Sequence, residues 1–392
     1  MFNVTATEET AMTLDETLTR RALRHALDGT TDMADRELRV PLHYYRDPKI
    51  TEVEESQILR RVPLAIVPSA QLPAANDYVV RSVLADSLLV TRDRTGASHV
   101  LLNYCRHRGA MPACGSGNAS RFVCPYHAWT YRNTGELFMV PGKAGFDSMN
   151  QKDYGLVELP SQERHGFIWA VLSADATIDV DAHLGPVGAE LEQWNYATYG
   201  YHTDREFDSD VSWKGALEAF AEGYHFPFVH GESLIGQNTL ANTAIYDEYG
   251  RHHRIGFPFT WITNLDTDPT AAWDPSTNMG VIYWVYPNLI LANSPVGVEI
   301  IDILPAGEPT RCTVRHGWMA RIPATDNDMR AAYDAVYEGV HAAVRDEDFA
   351  MLPQCGEGVR HGQHEHMIIG RNEIAVQHMI RVFADELSVA LT

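Results

Sequence analysis

Residues 101–131 read LLNYCRHRGAMPACGSGNASRFVCPYHAWTY and contain two short pairs of potential metal ligands. Cys105 and His107 form C-x-H, Cys124 and His127 form C-x-x-H, and sixteen residues separate the pairs. Each pair lies at a turn between strand-like runs, so two β-loops can face each other and each supply one thiolate and one imidazole. This division suits a [2Fe–2S] cluster in which two cysteines hold one iron and two histidines hold the other.

The competing interpretation is a structural zinc site, because Zn²⁺ also accepts two cysteines and two histidines in a tetrahedron. In common zinc sites the two cysteines lie close together in sequence, as do the two histidines. Here each pair mixes one of each. The spacing therefore favours the iron–sulfur cluster, whose potential with histidine ligands would be about −150 to +300 mV.

The sequence around this motif predicts an α+β chain in three parts. LDETLTRRALRHALDG reads as a helix that ends at Gly29, within an N-terminal helical segment over residues 1–44. Residues 45–172 carry short runs such as LAIVP, YVVRSVL and GFIWAVL between turn residues, which indicates an all-β domain. Residues 173–392 mix long strand-like runs with helical patterns, and the first segment is expected to pack on this last domain.

A second group of candidate ligands lies in the segment SWKGALEAFAEGYHFPFVH. Glu218, Glu222, His225 and His230 follow the pattern E-x3-E-x2-H-x4-H. On a continuous helix the first three would share one face, and Pro227 would end that helix and let His230 turn back. Two histidines and one carboxylate can hold Fe(II) and leave positions open for O₂ and substrate. The alternative, a hydrogen-bonded histidine pair without metal, is less consistent with a cluster motif in the same chain.

Composition excludes several other classes of function. Asp and Glu exceed Lys and Arg by 52 to 31, and a net charge of −21 argues against nucleic-acid or anionic-membrane partners. No run approaches the roughly 18 apolar residues of a membrane span, and MFNVTATEET lacks the features of a secretory signal, so the expected location is the cytoplasm. Five cysteines do not suggest a disulfide framework.

The two motifs, in this order, resemble those of the Rieske non-haem iron oxygenases, the family of aromatic-ring-hydroxylating oxygenase large (α) subunits. CRHRG followed by CPYHAWTY is similar to the Rieske domain, and the combined resemblance covers roughly residues 40–392. It implies an all-β Rieske [2Fe–2S] domain and a catalytic domain of helix-grip (START/Bet v 1-like) fold with a curved antiparallel sheet.

The resemblance also implies roles for particular residues. His225 and His230 would bind a mononuclear iron together with an Asp from a late helix, and RDEDFAMLPQ offers Asp348, with Asp346 as the competing choice. Glu222 stands where the family most often has Asp, as the electron and proton relay from a neighbouring subunit's cluster. Ser212 departs from the family's usual Asn.

The implied function is that of a terminal oxygenase component, which uses O₂ and electrons from an NAD(P)H-dependent reductase, directly or through a ferredoxin, to hydroxylate an aromatic compound. The first alternative is a monooxygenase that demethylates or hydroxylates a non-aromatic or quaternary-amine substrate. The second is a cluster-bearing electron-transfer or ligand-binding protein without oxygenase activity. The family's head-to-tail packing implies a homotrimer, with or without a small β subunit.

Overall fold

The computed structural model describes residues 16–268 and 270–391. The α-helices are α1 (Glu16–Asp28), α2 (His43–Arg46), α3 (Pro48–Val53), α4 (Val180–Leu184), α5 (Pro186–Trp194), α6 (Trp213–Glu218), α7 (Phe226–Val229), α8 (Leu234–Asn238), α9 (Pro275–Asn278), α10 (Asn327–Ala342), α11 (Phe349–His361) and α12 (Ile374–Leu387). Two π-helical turns cover Glu54–Leu59 and Ala343–Asp348.

Twenty strands are formed within these residues. They are β1 (Leu38–Pro41), β2 (Leu64–Pro68), β3 (Asp77–Val83), β4 (Asp86–Arg92), β5 (Ser98–Leu102), β6 (Ser116–Asn118), β7 (Arg121–Val123), β8 (Thr130–Arg132), β9 (Leu137–Met139), β10 (Glu158–Leu159), β11 (Ser161–Arg164), β12 (Phe167–Ala170), β13 (Gly200–Ser209), β14 (Ile245–Tyr249), β15 (His252–Pro258), β16 (Met279–Val285), β17 (Leu289–Asn293), β18 (Gly297–Pro305), β19 (Cys312–Ala320) and β20 (His366–Ile369).

The first half of the chain folds into small antiparallel sheets. One sheet has the order β10-β5-β4-β3-β6, a second β11-β12-β2, and a third β7-β8-β9. Leu89, Leu101 and Tyr131 form a core shared with Cys105 and Cys124, so the packing of this domain itself holds the two cysteines. The small sheets confirm an all-β domain in this half of the chain, whereas the exact limits 45 and 172 remain a prediction.

The second half is built on a seven-stranded antiparallel sheet with the order β13-β19-β18-β17-β16-β15-β14. One face packs with α1 and α5 through residues such as Leu18 and Leu191. The other face packs with α6 and α12, where Trp284 contacts Phe383 at a ring-centroid distance of 5.6 Å. With the β domain, this sheet and its helices give the α+β fold that the sequence predicts.

The N-terminal helix α1 ends as its sequence indicates. Leu18 and Ala22 are one turn apart and buried, and Gly29 follows the helix with φ +61°, a conformation that glycine adopts without strain. Arg21 donates to Asp247 at 2.6 Å, which fixes the helix to strand β14. Residues 1–15 of the predicted N-terminal segment lie outside the described residues.

The predicted continuous helix from Glu218 to His225 is wrong. Helix α6 ends at Glu218, and Glu222 is extended, with φ −151° and ψ 158°. The chain turns here because Gly223 lies against Phe257, where an added Cβ would come within 2.9 Å of the ring. Pro227 therefore interrupts no long helix but stands near the start of the short helix α7.

The long helical region near residues 327–361 contains the π-helical turn Ala343–Asp348 between α10 and α11. A π turn inserts one extra residue into a helix and is frequent at functional sites. Asp348 is its last residue and is buried. Among the described helices, none combines the length and the apolar character needed to cross a bilayer.

A buried ion pair joins the first π turn, Glu54–Leu59, to helix α6. Lys214 Nζ contacts Glu54 Oε1, and the indole N–H of Trp213 donates to Glu54 Oε2 at 2.7 Å. Both charged side chains are almost fully buried. Burial lowers the pKa of Lys214, and Glu54 partly offsets this effect. The pair fixes the segment that carries the second group of candidate ligands.

Glu54→Gln is expected to destabilise the fold by about 3–5 kcal/mol, because it leaves the ammonium group of Lys214 buried without its counter-charge. Chemical denaturation followed by circular dichroism would show a lower midpoint. Glu52→Gln is the matched control, since Glu52 is exposed in the same region and its loss should leave the midpoint unchanged. Equal midpoints for the two variants would contradict a structural role for the pair.

Candidate metal centres

Two tight loops position the predicted cluster ligands. Cys105 follows β5, and its carbonyl accepts a hydrogen bond from the N–H of Gly109 at 2.8 Å. Cys124 follows β7, and its carbonyl accepts from Ala128 at 3.0 Å. Gly109 and Ala128 both have positive φ, 80° and 55°, so each loop reverses directly after its cysteine. The loops therefore face each other, as the spacing predicts.

The two histidines meet at the ends of these loops, and the two cysteines share one core. The rings of His107 and His127 have centroids 4.4 Å apart, and His107 stacks on Trp129. Both cysteine thiols are buried and free of disulfides. Nδ1 of His107 is buried and lacks a hydrogen-bond partner among the described residues. An unpaired buried nitrogen beside buried thiols fits a metal-bound cluster, because a metal would satisfy that nitrogen.

Tyr131 is a cluster-side residue that the sequence did not reveal. Its hydroxyl lies 3.1 Å from Cys105 Sγ and accepts a hydrogen bond from the N–H of Arg106 at 2.9 Å. With the backbone N–H donating to it, the hydroxyl is left to donate to the sulfur. The only signal in the sequence is its position at the end of AWTY, four residues after His127.

The second predicted group also converges. Asp348 Oδ1 lies 3.4 Å from His225 Nε2 and 3.0 Å from His230 Nε2. One ligand atom from each residue falls within 4.8 Å of the others, and this is the one group of three such residues found within the described ranges. Asp346 is exposed and pairs with Arg345 at 2.6 Å instead. The geometry favours Asp348 over Asp346.

A further carboxylate contacts each imidazole at Nδ1, the ring nitrogen that does not face Asp348. Glu222 contacts Nδ1 of His225, and Glu347 contacts Nδ1 of His230 at 2.5 Å. Each contact places a ring proton on Nδ1 and leaves Nε2 facing Asp348 as the nitrogen that can bind a metal, the arrangement common for metal-binding histidines. Glu222 also accepts from the backbone N–H of Tyr224 and His225. Glu347 is a further residue that sequence reasoning missed, although it adjoins Asp348.

Electrostatics at this group favour a cation. Burial alone lowers the pKa of His225, but hydrogen bonds to Asp348 and Glu222 outweigh it and raise the pKa to about 9. The pKa of Asp348 is lowered, because the two imidazoles outweigh the effect of its burial. A divalent ion at this point would replace the proton between the ring nitrogens and the carboxylate. The donor set of two imidazoles and one carboxylate fits iron.

Comparison with known proteins agrees with both centres. Residues 62–154 match the family described as Rieske [2Fe-2S] domain, and residues 196–388 match the ring hydroxylating alpha subunit (catalytic domain). The chain belongs to the Rieske oxygenase large-subunit family. The matched domains imply a Rieske [2Fe–2S] cluster and a mononuclear iron as cofactors, and the residues described above fit both.

Several curated relatives of this Rieske oxygenase chain act on different substrates by name. The N,N-dimethyl phenylurea N-demethylase α subunit of Sphingobium sp. (strain YBL2) is 34% identical over 49% of this chain and 43% of the relative. Chloroplastic choline monooxygenase of Beta vulgaris is 30% identical over 74% and 64%. The large component of naphthalene 1,2-dioxygenase of Pseudomonas putida is 32% identical over 50% and 46%. The matched part of the chain thus covers 43–64% of the length of these relatives.

Solved structures show the same fold at lower identity. The quaternary ammonium Rieske monooxygenase CntA with L-carnitine has a TM-score of 0.75 at 18% identity, covering 95% of this chain and 98% of that one. Naphthalene 1,2-dioxygenase from Rhodococcus sp. with indole has a TM-score of 0.74 at 19% identity, covering 97% and 99%. At such identities the likeness shows the Rieske oxygenase fold alone.

Proposed function

We propose that this chain is a terminal oxygenase component that hydroxylates an organic substrate, an aromatic compound first, with O₂ and electrons from an NAD(P)H-dependent reductase. The convergence of His225, His230 and Asp348 around one point carries this proposal. A redox protein that only transferred electrons would need the cluster loops but not this second group. The proposed location is the cytoplasm, where a reductase is supplied with NAD(P)H.

The proposed ligands are those that the sequence indicates. Cys105, His107, Cys124 and His127 would hold the cluster, and His225, His230 and Asp348 would hold the iron. When bound, the cluster supplies single electrons and the iron supplies O₂ activation.

The chain's own residues orient the site and control its protons. Glu222 holds the ring proton at Nδ1 of His225, and Glu347 does so at Nδ1 of His230. Phe226 lies against both imidazoles and against Phe257, at ring-centroid distances of 5.0–5.7 Å, and so keeps water from one side of the group. Glu222 is proposed to carry electrons and protons between an adjacent cluster and His225.

The proposed assembly is a ring of three copies, in which the cluster of one subunit adjoins the iron group of the next. Two exposed surfaces support it. Tyr126 beside His127 is 58% exposed, and Tyr224 and Phe228 beside Glu222 are 56% and 79% exposed. Large apolar side chains at both places are typical of surfaces that are covered in a complex. The electron donor is proposed to be a reductase that acts directly or through a ferredoxin.

A second candidate reaction is oxidative demethylation or hydroxylation of a non-aromatic or quaternary-amine substrate. The names of two relatives favour it, the phenylurea N-demethylase and choline monooxygenase. It would use the same iron group and differ only in the substrate.

The test is a single-turnover experiment. Purified protein is analysed for iron, sulfide and zinc, reduced chemically, and exposed to ¹⁸O₂ with naphthalene, N,N-dimethyl-N′-phenylurea or choline. A Rieske visible spectrum, two kinds of iron, and ¹⁸O in a product or release of formaldehyde are expected. A colourless zinc protein, or cluster oxidation without product from any compound, would contradict the proposal.

Tyr131→Phe is expected to lower the reduction potential of the cluster while leaving its iron content unchanged. The hydroxyl donates to Cys105 Sγ, and this bond strengthens as the sulfur gains negative charge on reduction. A difference of about 1 kcal/mol between the two oxidation states would correspond to roughly 40 mV. Spectroelectrochemical titration measures the potential, and an unchanged value would contradict the assigned hydrogen bond.

A further inference from the structure

The face of the seven-stranded sheet that packs with α6 and α12 is incompletely covered in its middle, and we call this strip the trough. Ile282, Ala292 and Glu299 lie directly opposite one another on β16, β17 and β18 and therefore point to the same side. All three are partly exposed, although they occupy the three central strands. The ends of this row, Ile255 on β15 and Trp318 on β19, are buried. The opening is thus confined to the centre of the sheet.

The trough continues beside the iron-binding group. Gly280 precedes Ile282 by two residues on the same face, and no described residue other than its chain neighbours has an atom within 4 Å of the position where its Cβ would be. Gly280 is paired with Phe257, whose ring contacts Phe226 next to the two imidazoles. Three strand spacings separate β15 from β18, and Phe257 lies two residues along β15 from the row of Glu299, so the trough is roughly 16 Å long from Phe257 to Glu299.

A chain of hydrogen bonds supports the carboxylate at the far end. Glu299 Oε2 lies 3.0 Å from Nε2 of His316, and Nδ1 of His316 lies 3.0 Å from Nδ1 of His341. Burial and the neighbouring His316 lower the pKa of His341 to about 4, so this imidazole is neutral at pH 7. The oxygen of Glu299 accepts in this contact, so a ring proton of His316 lies on Nε2 and is donated to Glu299. The other carboxylate oxygen has no hydrogen bond to a described residue and remains an acceptor.

This support comes from the helix that also provides Asp348. His341 precedes Asp348 by seven residues, a rise of roughly 10 Å along a helix. Phe207 contacts both His341 and Phe349, at ring-centroid distances of 6.0 and 5.1 Å. The distance between Glu299 and the candidate iron ligands is therefore fixed by two features of the fold. These are helix α10, which carries His341, and the spacing of strands β15 to β18.

We infer that the trough binds the substrate and that Glu299 selects one with an apolar body and a protonated amine at its far end. This inference rests on the proposed function and narrows its substrate class. The side chains of Ile282, Ala292 and Phe257 offer only apolar contacts. Glu299 is therefore the one charged residue among these four. A carboxylate with a free oxygen in an otherwise apolar trough favours an N–H donor with positive charge, and disfavours an uncharged group of equal shape.

The test compares two probes of the same shape on the holoprotein. N,N-dimethylbenzylamine is protonated at pH 7, and isobutylbenzene replaces its nitrogen with carbon. The amine is expected to bind at least about tenfold more tightly. Glu299→Gln should weaken the amine about tenfold and leave the hydrocarbon unchanged. Calorimetry measures the dissociation constant of the amine, and headspace partition measures that of the volatile hydrocarbon.

Glu308→Gln is the matched control, because Glu308 is exposed on the turn of the same β18–β19 hairpin and its loss removes the same charge. Both probes should bind this variant as they bind the native protein. Equal affinity of the two probes for the native protein, or equal weakening of both by Glu299→Gln, would overturn the inference. Binding needs no turnover, so failed oxygen incorporation with intact amine selectivity would refute only the proposed oxygenase function.

Discussion

His225→Ala is expected to remove the mononuclear iron and abolish oxygenation while the visible spectrum of the cluster stays unchanged. His225 offers one of three candidate ligand atoms around a single point, and the two that remain would not hold the ion against exchange with solvent. The cluster loops lie among the small sheets in the first half of the chain, whereas His225 is in the half built on the seven-stranded sheet. Iron content should fall from about three to about two atoms per chain.

Two neighbouring acids provide the matched comparison for this result. Asp348→Asn should also lose the mononuclear iron, because Asp348 Oδ1 lies within 3.4 Å of both Nε2 atoms. Asp346→Asn should retain it, because Asp346 is exposed and paired with Arg345. Iron retained in Asp348→Asn, or a cluster spectrum lost in His225→Ala, would show that the ligands have been divided wrongly between the two centres.

The sequence indicates these candidate ligands because their chemistry is encoded in residue type and spacing. The pairs at 105 and 107 and at 124 and 127 are local, and the turns between short strands bring them together. The acid near 348 required the family resemblance, since spacing alone left Asp346 open. The structure favours Asp348 because the π turn directs its side chain inward. No simple sequence pattern predicts such a turn.

Other features depended on contacts between distant segments. The break at Glu222 follows from the close approach of Gly223 to Phe257, a residue 34 positions later in the chain. Glu347 reaches His230 across 117 positions, and Glu299 joins Ala292 and Ile282 only through strand register. Helical periodicity describes one segment at a time, so it placed Glu218 and His225 on a helix that tertiary packing does not allow.

With Fe(II) in excess, Glu222→Gln should leave both metal centres loaded, and it should slow turnover by about tenfold to a hundredfold because the proposed relay loses its charge. The amide keeps the size of the side chain, and its single oxygen can accept from Nδ1 of His225 or from the N–H of Tyr224, which contact different oxygens of Glu222. Unlike the carboxylate, the amide carries no negative charge, and it neither binds nor releases a proton near pH 7. The rate of cluster reoxidation after mixing with O₂ and substrate is the direct measurement.

Glu347→Gln distinguishes a relay from a simple support of the ring. Glu347 holds His230 as Glu222 holds His225, so both variants should weaken iron binding to a similar degree. Only Glu222 has the exposed Tyr224 beside it, on the surface proposed to meet an adjacent cluster. Slow cluster reoxidation should therefore be confined to Glu222→Gln at full iron loading. Equal slowing in both variants would reduce Glu222 to an orienting residue, and normal multiple turnover in Glu222→Gln would exclude it from electron transfer altogether.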